Sequence, residues 1–296
     1  MSEQPPGPAL LIDTYSLFFR AHHALPPMNT KSGAPTSALY GLSVALLKEL
    51  RERRPRGIAF ALDAPAKTFR HEQYPEYKGR RDAVPSALVA QFRPLRDLID
   101  AFGVPRFEVP GFEADDILAT LAHALRERGD PVVLMSGDRD LLQLAHGGVS
   151  VLFLGARGQK PVLYDEAAVL QRFGVPPQRL PDFAALVGDS SDNLPGTPGV
   201  GPATAAKWVQ AYGGLPRVLE HAAELTPARL RSNVADHAEQ IRRNHALATL
   251  CIDVPLPTGP SVGQLSPSAL ARVRELFAEL EFKSLLPRLD ALEWGA

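Results

Sequence analysis

Val132-Val-Leu-Met-Ser-Gly-Asp138-Arg-Asp140 is the stretch that decides the fold. Val132 to Met135 is a run too short for a helix and apolar on both faces, which is how a fully buried strand of a parallel sheet reads. The run then ends in acids. Three other runs have the same character: Ala9 to Ile12, Ile58 to Leu62, and Val149 to Leu154. The first two are also followed at once by an acid, Asp13 and Asp63.

Helical patterns separate these runs. Ser37 to Arg54 carries Leu39, Leu42, Leu46 and Leu50 on one face, and Ser86 to Phe102 and Ala114 to Arg128 are patterned alike. Alternating strands and helices predict an α/β core over residues 1–170, with a mostly parallel central sheet flanked by helices. Beyond about residue 170 the strand signal fades. Pro181 to Leu186, Ala203 to Tyr212, Leu215 to Glu220, Val234 to Leu250 and Ser268 to Leu280 read as helices, so residues 171–296 form a helical annex.

Composition narrows the class. With 296 residues, 45% hydrophobic and 22% charged, the chain suits one large or two modest globular domains and excludes fibres and wholesale disorder. A single cysteine, Cys251, rules out an internal disulfide or a cysteine-built zinc cage and favours a reducing compartment. The first residues lack a basic segment leading into an apolar one, and no apolar run approaches the roughly 20 residues that span a bilayer. The expected location is cytoplasmic, with no membrane partner.

Asp13, Asp63 and the pair Asp138 and Asp140 all follow strands, whose carboxyl ends are where α/β sheets bind ligands. Glu113, Asp115 and Asp116 open a helix, and Asp189 and Asp192 sit in a polar turn. Any one of these suits a turn, a cap or an Asx-turn. Their conjunction is different, because carboxylates gathered at one sheet edge stay ionised only when cations compensate them. Oxygen-only ligands favour Mg²⁺ or Mn²⁺. A site this acidic suggests two ions, the arrangement that hydrolyses phosphodiesters. Setting these nine acids aside, 24 of the 33 remain against 32 Lys and Arg, an excess of basic surface suited to binding phosphate.

Five motifs in order resemble the flap endonuclease (5′-nuclease) family. They are Leu10-Leu-Ile-Asp13; Phe69-Arg70 with Tyr74-Pro-Glu-Tyr77-Lys78-Gly-Arg-Arg81; Gly111-Phe-Glu113-Ala-Asp115-Asp116; Ser136-Gly-Asp138-Arg-Asp140; and Gly188-Asp189-Ser-Ser-Asp192-Asn-Leu-Pro-Gly196 with Pro198-Gly199-Val200-Gly201. Within the family the similarity is strongest to the N-terminal 5′-3′ exonuclease domain of bacterial DNA polymerase I, and it runs from about residue 9 to residue 289.

The resemblance implies a PIN-like nuclease core with an arch or clamp over about residues 67–100. It also implies a helix–three-turn–helix DNA-binding element at about 182–215. The implied activity is structure-specific: cutting 5′ flaps and trimming 5′ ends of DNA in replication and repair, with two divalent ions. On the family pattern Asp13, Asp63 and Glu113 hold the first metal and Asp115 lies between the two. Asp138, Asp140, Asp189 and Asp192 serve the second, and Asp116 joins the set. Lys78 and Arg81, with Arg70 before them, match the arch-base cations that neutralise the scissile phosphate. Phe19, Arg20 and Tyr77 match DNA contacts; Phe18 and Phe19 also suit plain core packing on an apolar helix. Gly199, Val200, Gly201, Thr204 and Lys207 match the duplex-gripping turn and helix, which can also hold K⁺. A polymerase module, in the same chain or in trans, and a bacterial nucleoid setting are further implications.

Two rivals belong to other classes. A non-catalytic DNA-structure binder would use the acids only for metal-dependent docking, against which stand complete ligand sets at both metal sites. A phosphohydrolase using Asp13 as covalent nucleophile would want a second Asp two residues on, where Tyr15 stands.

Overall fold

The computed structural model describes residues 7–80, 83–155 and 159–292. The strands are β1 (Gly7–Asp13), β2 (Pro55–Ala61), β3 (Arg106–Phe107), β4 (Val132–Ser136), β5 (Val149–Phe153) and β6 (Val162–Tyr164), in the order β3-β2-β1-β4-β5-β6. The first five run parallel, with Leu10 beside both Ile58 and Val133 and Leu134 beside Val151; β6 is antiparallel to β5.

The helices are α1 (Thr14–Ala24), α2 (Ser37–Arg53), α3 (Phe69–Gln73), α4 (Ser86–Val89), α5 (Phe92–Ala101), α6 (Ala114–Glu127) and α7 (Glu166–Phe173). They continue as α8 (Leu180–Val187), α9 (Pro202–Tyr212), α10 (Leu215–Glu220), α11 (Arg231–Asp236), α12 (Ala238–Ala248), α13 (Pro267–Glu279) and α14 (Leu286–Asp290). None of the described helices is long and apolar enough to cross a membrane.

Strand residues alternate between two cores, as the pleat requires. Leu10, Ile12, Ile58, Phe60, Val133 and Met135 face one core with leucines of α2 and α5. Ala9, Leu11, Ala59, Ala61, Val132 and Leu134 face the other with α6. Strand order reverses at β1, so the carboxyl ends of β1 and β4 flank a topological switch point, where such sheets bind ligands.

The fold agrees with the α/β-plus-helical expectation, and the departures from it have physical causes. Ser86 to Phe102 is two helices separated by Ala90 and Gln91, and Gln91 is fully buried. Its Oε1 accepts from the N–H groups of Ala38 (3.0 Å) and Leu39 (3.3 Å), and its Nε2 donates to the Ala87 carbonyl, so Gln91 caps the open start of α2. Leu95, Leu98 and Ile99 of α5 then belong to the sheet core. Leu88 of α4 belongs to the same core, so the second half of the 67–100 stretch packs onto the sheet.

Val234 to Leu250 breaks at His237 into α11 and α12. The annex, continuous in sequence, divides in space. Helices α8 to α12 close their own core around Leu186, Trp208, Val218, Val234 and Ile241. Gly263 then exchanges backbone hydrogen bonds with Ile58, and Val273, Phe277, Phe282, Leu285 and Leu289 rejoin the sheet core. Because Phe277 is fully buried there, Phe277→Ala is expected to lower stability by about 3–5 kcal/mol in urea unfolding.

Candidate functional site

The switch point collects the acids. Asp13 ends β1 and caps α1, its Oδ1 accepting from Ser16 N at 3.2 Å. Ser136, the last residue of β4, donates its hydroxyl to Asp13 Oδ2 at 2.5 Å and accepts from Asp138 N at 2.9 Å. Asp138 in turn accepts from Asp140 N. Asp63, just past β2, accepts from Ala114 N at 2.8 Å, which fixes the β2 end against the start of α6. Glu113 caps α6 and Asp115 lies in its first turn, where the helix dipole favours negative charge. The Asp189 turn is an Asx-turn closed by Ser191 N at 2.7 Å, so the bland reading and the site reading hold together there.

The base of the expected arch packs onto this cluster. Lys78 adopts a left-handed backbone conformation (φ 55°), unusual for a residue other than glycine, and its N–H donates to the Asp192 carbonyl. Its ammonium lies 2.9 Å from both oxygens of Glu113 and 3.9 Å from Asp192. Tyr77 is buried, its hydroxyl 2.7 Å from Asp192 Oδ2 and 3.1 Å from Glu113 Oε2. The expected DNA contact at Tyr77 is thereby corrected, because a phenol enclosed between two carboxylates cannot meet a base. Burial and those two acids push its ionisation far up, so the hydroxyl stays protonated and able to donate.

Arg70 and Asp116 also depart from expectation. Arg70 is enclosed and its Nη1 and Nη2 make a bidentate pair with Asp116 at 2.6 and 2.8 Å. Arg70 Nε donates to the Leu247 carbonyl, and Asp116 also accepts from Glu113 N and Cys251 N. Both oxygens of Asp116 are thus occupied, and it is a structural clasp rather than an open metal ligand. Arg70 is likewise held away from the cleft.

The remaining eight acids, Asp13, Asp63, Glu113, Asp115, Asp138, Asp140, Asp189 and Asp192, form one mutually repelling set. Burial, then the Asp63 and Asp138 charges, push Asp13 up to about 7, against the opposing hydrogen bond from Ser136. Asp115 is held well above the carboxylate range by burial and then by Asp138 and Asp13; Asp140 by burial and then by Asp138, Asp192 and Asp189. Lys78 opposes both.

Among the described residues no three of these side chains stand converged as a ready ligand set for one ion. They instead take hydrogen bonds from Ser136, Tyr77, Ser191 and backbone N–H groups. The donor set is all oxygen, repelling and short of positive charge, the chemistry that a hard divalent cation satisfies.

Asp13, Asp63, Glu113, Asp115 and Asp138 open on a cleft of about 840 Å³, shared with Lys78 and Arg80. Tyr15, Phe19 and His23 of α1 line it, spaced four residues apart on one helix face. Phe19 also packs against Tyr15, Phe18 and Phe92, so its core and cleft readings coexist. Sequence reasoning passed over Tyr15 and His23, although their spacing from Phe19 was the available signal. Arg20 faces elsewhere, its Nε donating to the Gly155 carbonyl at 2.6 Å. Arg81 lies outside the described residues.

In the annex, Gly199 takes φ 77° and Gly201 caps α9 ahead of Pro202. Lys207 is exposed and Thr204 half-exposed on α9, whereas the Val200 side chain is buried in the annex core.

The family model described as 5′-3′ exonuclease, N-terminal resolvase-like domain, matches residues 8–174, and that described as 5′-3′ exonuclease, C-terminal SAM fold, matches residues 175–269. The chain belongs to the 5′-3′ exonuclease family.

DNA polymerase I of Mycobacterium tuberculosis H37Rv is 40% identical over 294 residues, covering 97% of this chain and 32% of that protein. DNA polymerase I of Deinococcus radiodurans is 38% identical over 299 residues, covering 99% of this chain and 30% of that protein. The chain therefore spans about a third of the length of these relatives. The zinc-bound T5 5′-exonuclease shares the fold at a TM-score of 0.66 and 22% identity, covering 95% of this chain and 99% of that one. The DNA-bound catalytic core of Rad2 does so at 0.61 and 16%, covering 96% and 93%.

Two predictions separate the acids of this 5′-3′ exonuclease fold. Asp115→Asn removes a repelling charge, so in EDTA at pH 8 its melting temperature should rise by about 2–4 °C, and its Mg²⁺-induced increment should fall. Asp13 illustrates the sign: its folded value, about 7 against 3.8, makes the metal-free folded state bind the proton more tightly, so stability falls as pH rises between those values and is flat above. The advantage of the variant in EDTA should shrink from pH 8 to pH 5. Asp116→Ala, by contrast, leaves a buried guanidinium unpaired and should cost about 3–5 kcal/mol in urea unfolding, while keeping the Mg²⁺ increment.

Proposed function

We propose that this 5′-3′ exonuclease module is a structure-specific nuclease that cuts 5′ flaps and trims 5′ ends of duplex DNA, leaving a 5′-phosphate and a 3′-hydroxyl. One observation carries the reading. Eight carboxylates from five separate stretches of chain gather at the switch point, and five of them, Asp13, Asp63, Glu113, Asp115 and Asp138, open on a cleft edged by Lys78, Arg80 and the aromatic face of α1.

The residues that would hold the first ion are Asp13, Asp63 and Glu113, with Asp115 between it and a second ion held by Asp138, Asp140, Asp189 and Asp192. Mg²⁺ or Mn²⁺ bound there would supply an activated water and stabilise the leaving oxygen in an in-line displacement. Lys78 carries the positive charge for the scissile phosphate, joined in the family pattern by Arg81. Its ammonium rests on Glu113 and can turn toward a phosphate entering the cleft. Tyr77 holds Asp192 and Glu113 in place from beneath. Phe19 offers a ring for stacking on a base, a contact that tolerates any sequence.

The annex supplies grip. The Gly199 to Gly201 turn lets a phosphate approach the first N–H groups of α9, with Thr204 and Lys207 beside it, as in a helix–three-turn–helix element over about 182–215. K⁺ is the monovalent ion assigned to that turn. The nuclease core is residues 1–170, with an arch or clamp region at about 67–100. A polymerase module, in the same chain or in trans, is the proposed protein partner, acting on the nucleoid in a bacterial cytoplasm.

A 5′-flap duplex labelled at either end, incubated with Mg²⁺, Mn²⁺ or EDTA, tests the proposal. Cutting at the flap junction with either metal and none in EDTA is the expected result, with Lys78→Ala slowing it about 10²-fold or more. Tight binding without cutting would favour the non-catalytic DNA binder instead.

A further inference from the structure

A second cavity, about 360 Å³, lies on the other side of the acid cluster. Asp140 and Asp189 line it, so it and the cleft meet at the Asp138 to Asp140 and Asp189 to Ser191 turns. Its apolar wall is built around Phe173 and Phe183, whose rings pack edge-on at 6.1 Å, with Leu180 and Val187 beside them. Two arginines complete the lining.

Neither arginine is neutralised by a carboxylate. The Arg139 side chain is exposed and has no hydrogen bond or ion pair among the described residues. Arg172 lies over the rings of Tyr164 and Phe173 and donates to the Tyr164 hydroxyl, an arrangement that fixes the guanidinium while leaving its charge unpaired. Gln143, the one amide in the lining, is fully committed: its Nε2 donates to the Asp140 and Ala248 carbonyls and its Oε1 accepts from Leu250 N. No side-chain amide is left to read a base edge.

We propose that this cavity seats a single nucleotide, its base against the Phe173 and Phe183 pair and its phosphate between Arg139 and Arg172. The volume suits one base with its sugar. Aromatic walls accept any base by stacking, and the committed Gln143 leaves recognition blind to sequence, as a structure-reading nuclease requires. Two sources share this chemistry: an unpaired nucleotide of the DNA strand adjoining the cut, and a free nucleoside monophosphate released by trimming. The proposal rests on the nuclease reading and specifies where that site holds a nucleotide beyond the cleft.

Photocrosslinking locates the occupant. Two probes are irradiated with the full chain in EDTA: 5-iodo-2′-deoxyuridine 5′-monophosphate, and a flap duplex with one unpaired 5-iodouracil at the junction. Crosslinked peptides are mapped by mass spectrometry. A crosslink at Phe173 or Phe183 is expected, falling about tenfold in an Arg139→Gln, Arg172→Gln double variant that melts normally, and retained in Arg172→Lys. Crosslinking by the duplex alone makes the strand nucleotide the occupant, and crosslinking by both makes the product a competitor for the same seat. No crosslink at either phenylalanine, or a yield indifferent to the arginines, overturns the proposal even where the flap is cut normally. A flap that crosslinks in EDTA but stays uncut in a parallel incubation with Mg²⁺ or Mn²⁺ overturns the nuclease reading alone.

Discussion

Repulsion among eight carboxylates at one sheet edge is the constraint to which the rest of this structure answers. A protein tolerates such a cluster only if the fold forces it and cations or protons relieve it. Here the reversal of strand order at β1 forces it, by aiming the ends of β1 and β4 into one crevice, while Asp63 anchors the start of α6 beside them. Relief comes in part from within. Lys78 reaches Glu113 from a left-handed backbone that costs conformational energy, and Tyr77 is buried so that its hydroxyl meets two acids. Strain of that kind persists only where the surroundings impose it, and it concentrates at functional sites.

The clasp between Arg70 and Asp116 explains how the site keeps its shape. It joins α3 at the arch base to the first turn of α6, and through the Leu247, Thr249 and Cys251 backbone it ties both to the end of α12. The annex therefore reaches the acid cluster through a buried, hydrogen-bonded connection. The return of α13 and α14 to the sheet core adds a second tie between the end of the chain and its beginning. DNA held by the annex would thus meet the cleft at a fixed distance from the acids.

Much of this was legible in the sequence where the signal is local. β1, β2, β4 and β5 are buried on both faces and read as continuous apolar runs. β3 has two residues and β6 is an edge strand with exposed Val162 and Leu163, so neither writes such a run. The acids were legible because each sits at a strand end, a helix start or a polar turn. What was hidden depends on partners distant in the chain: Gln91 capping α2 some fifty residues earlier, Asp116 taken by Arg70, and Tyr77 enclosed by Glu113 and Asp192. The Val200 side chain, between two glycines, packs in the annex core with Leu230 and Val234, which its local sequence does not announce. A single sequence carries no mark of such pairings.

The central claim is that these eight acids hold divalent ions, and diffraction from crystals soaked in Mn²⁺, recorded at the manganese absorption edge, tests it most directly. The account predicts two anomalous peaks, one among Asp13, Asp63, Glu113 and Asp115 and one among Asp138, Asp140, Asp189 and Asp192, with none at Asp116. Manganese bound only at Asp116, or absent from the cluster at saturating concentration, would contradict it.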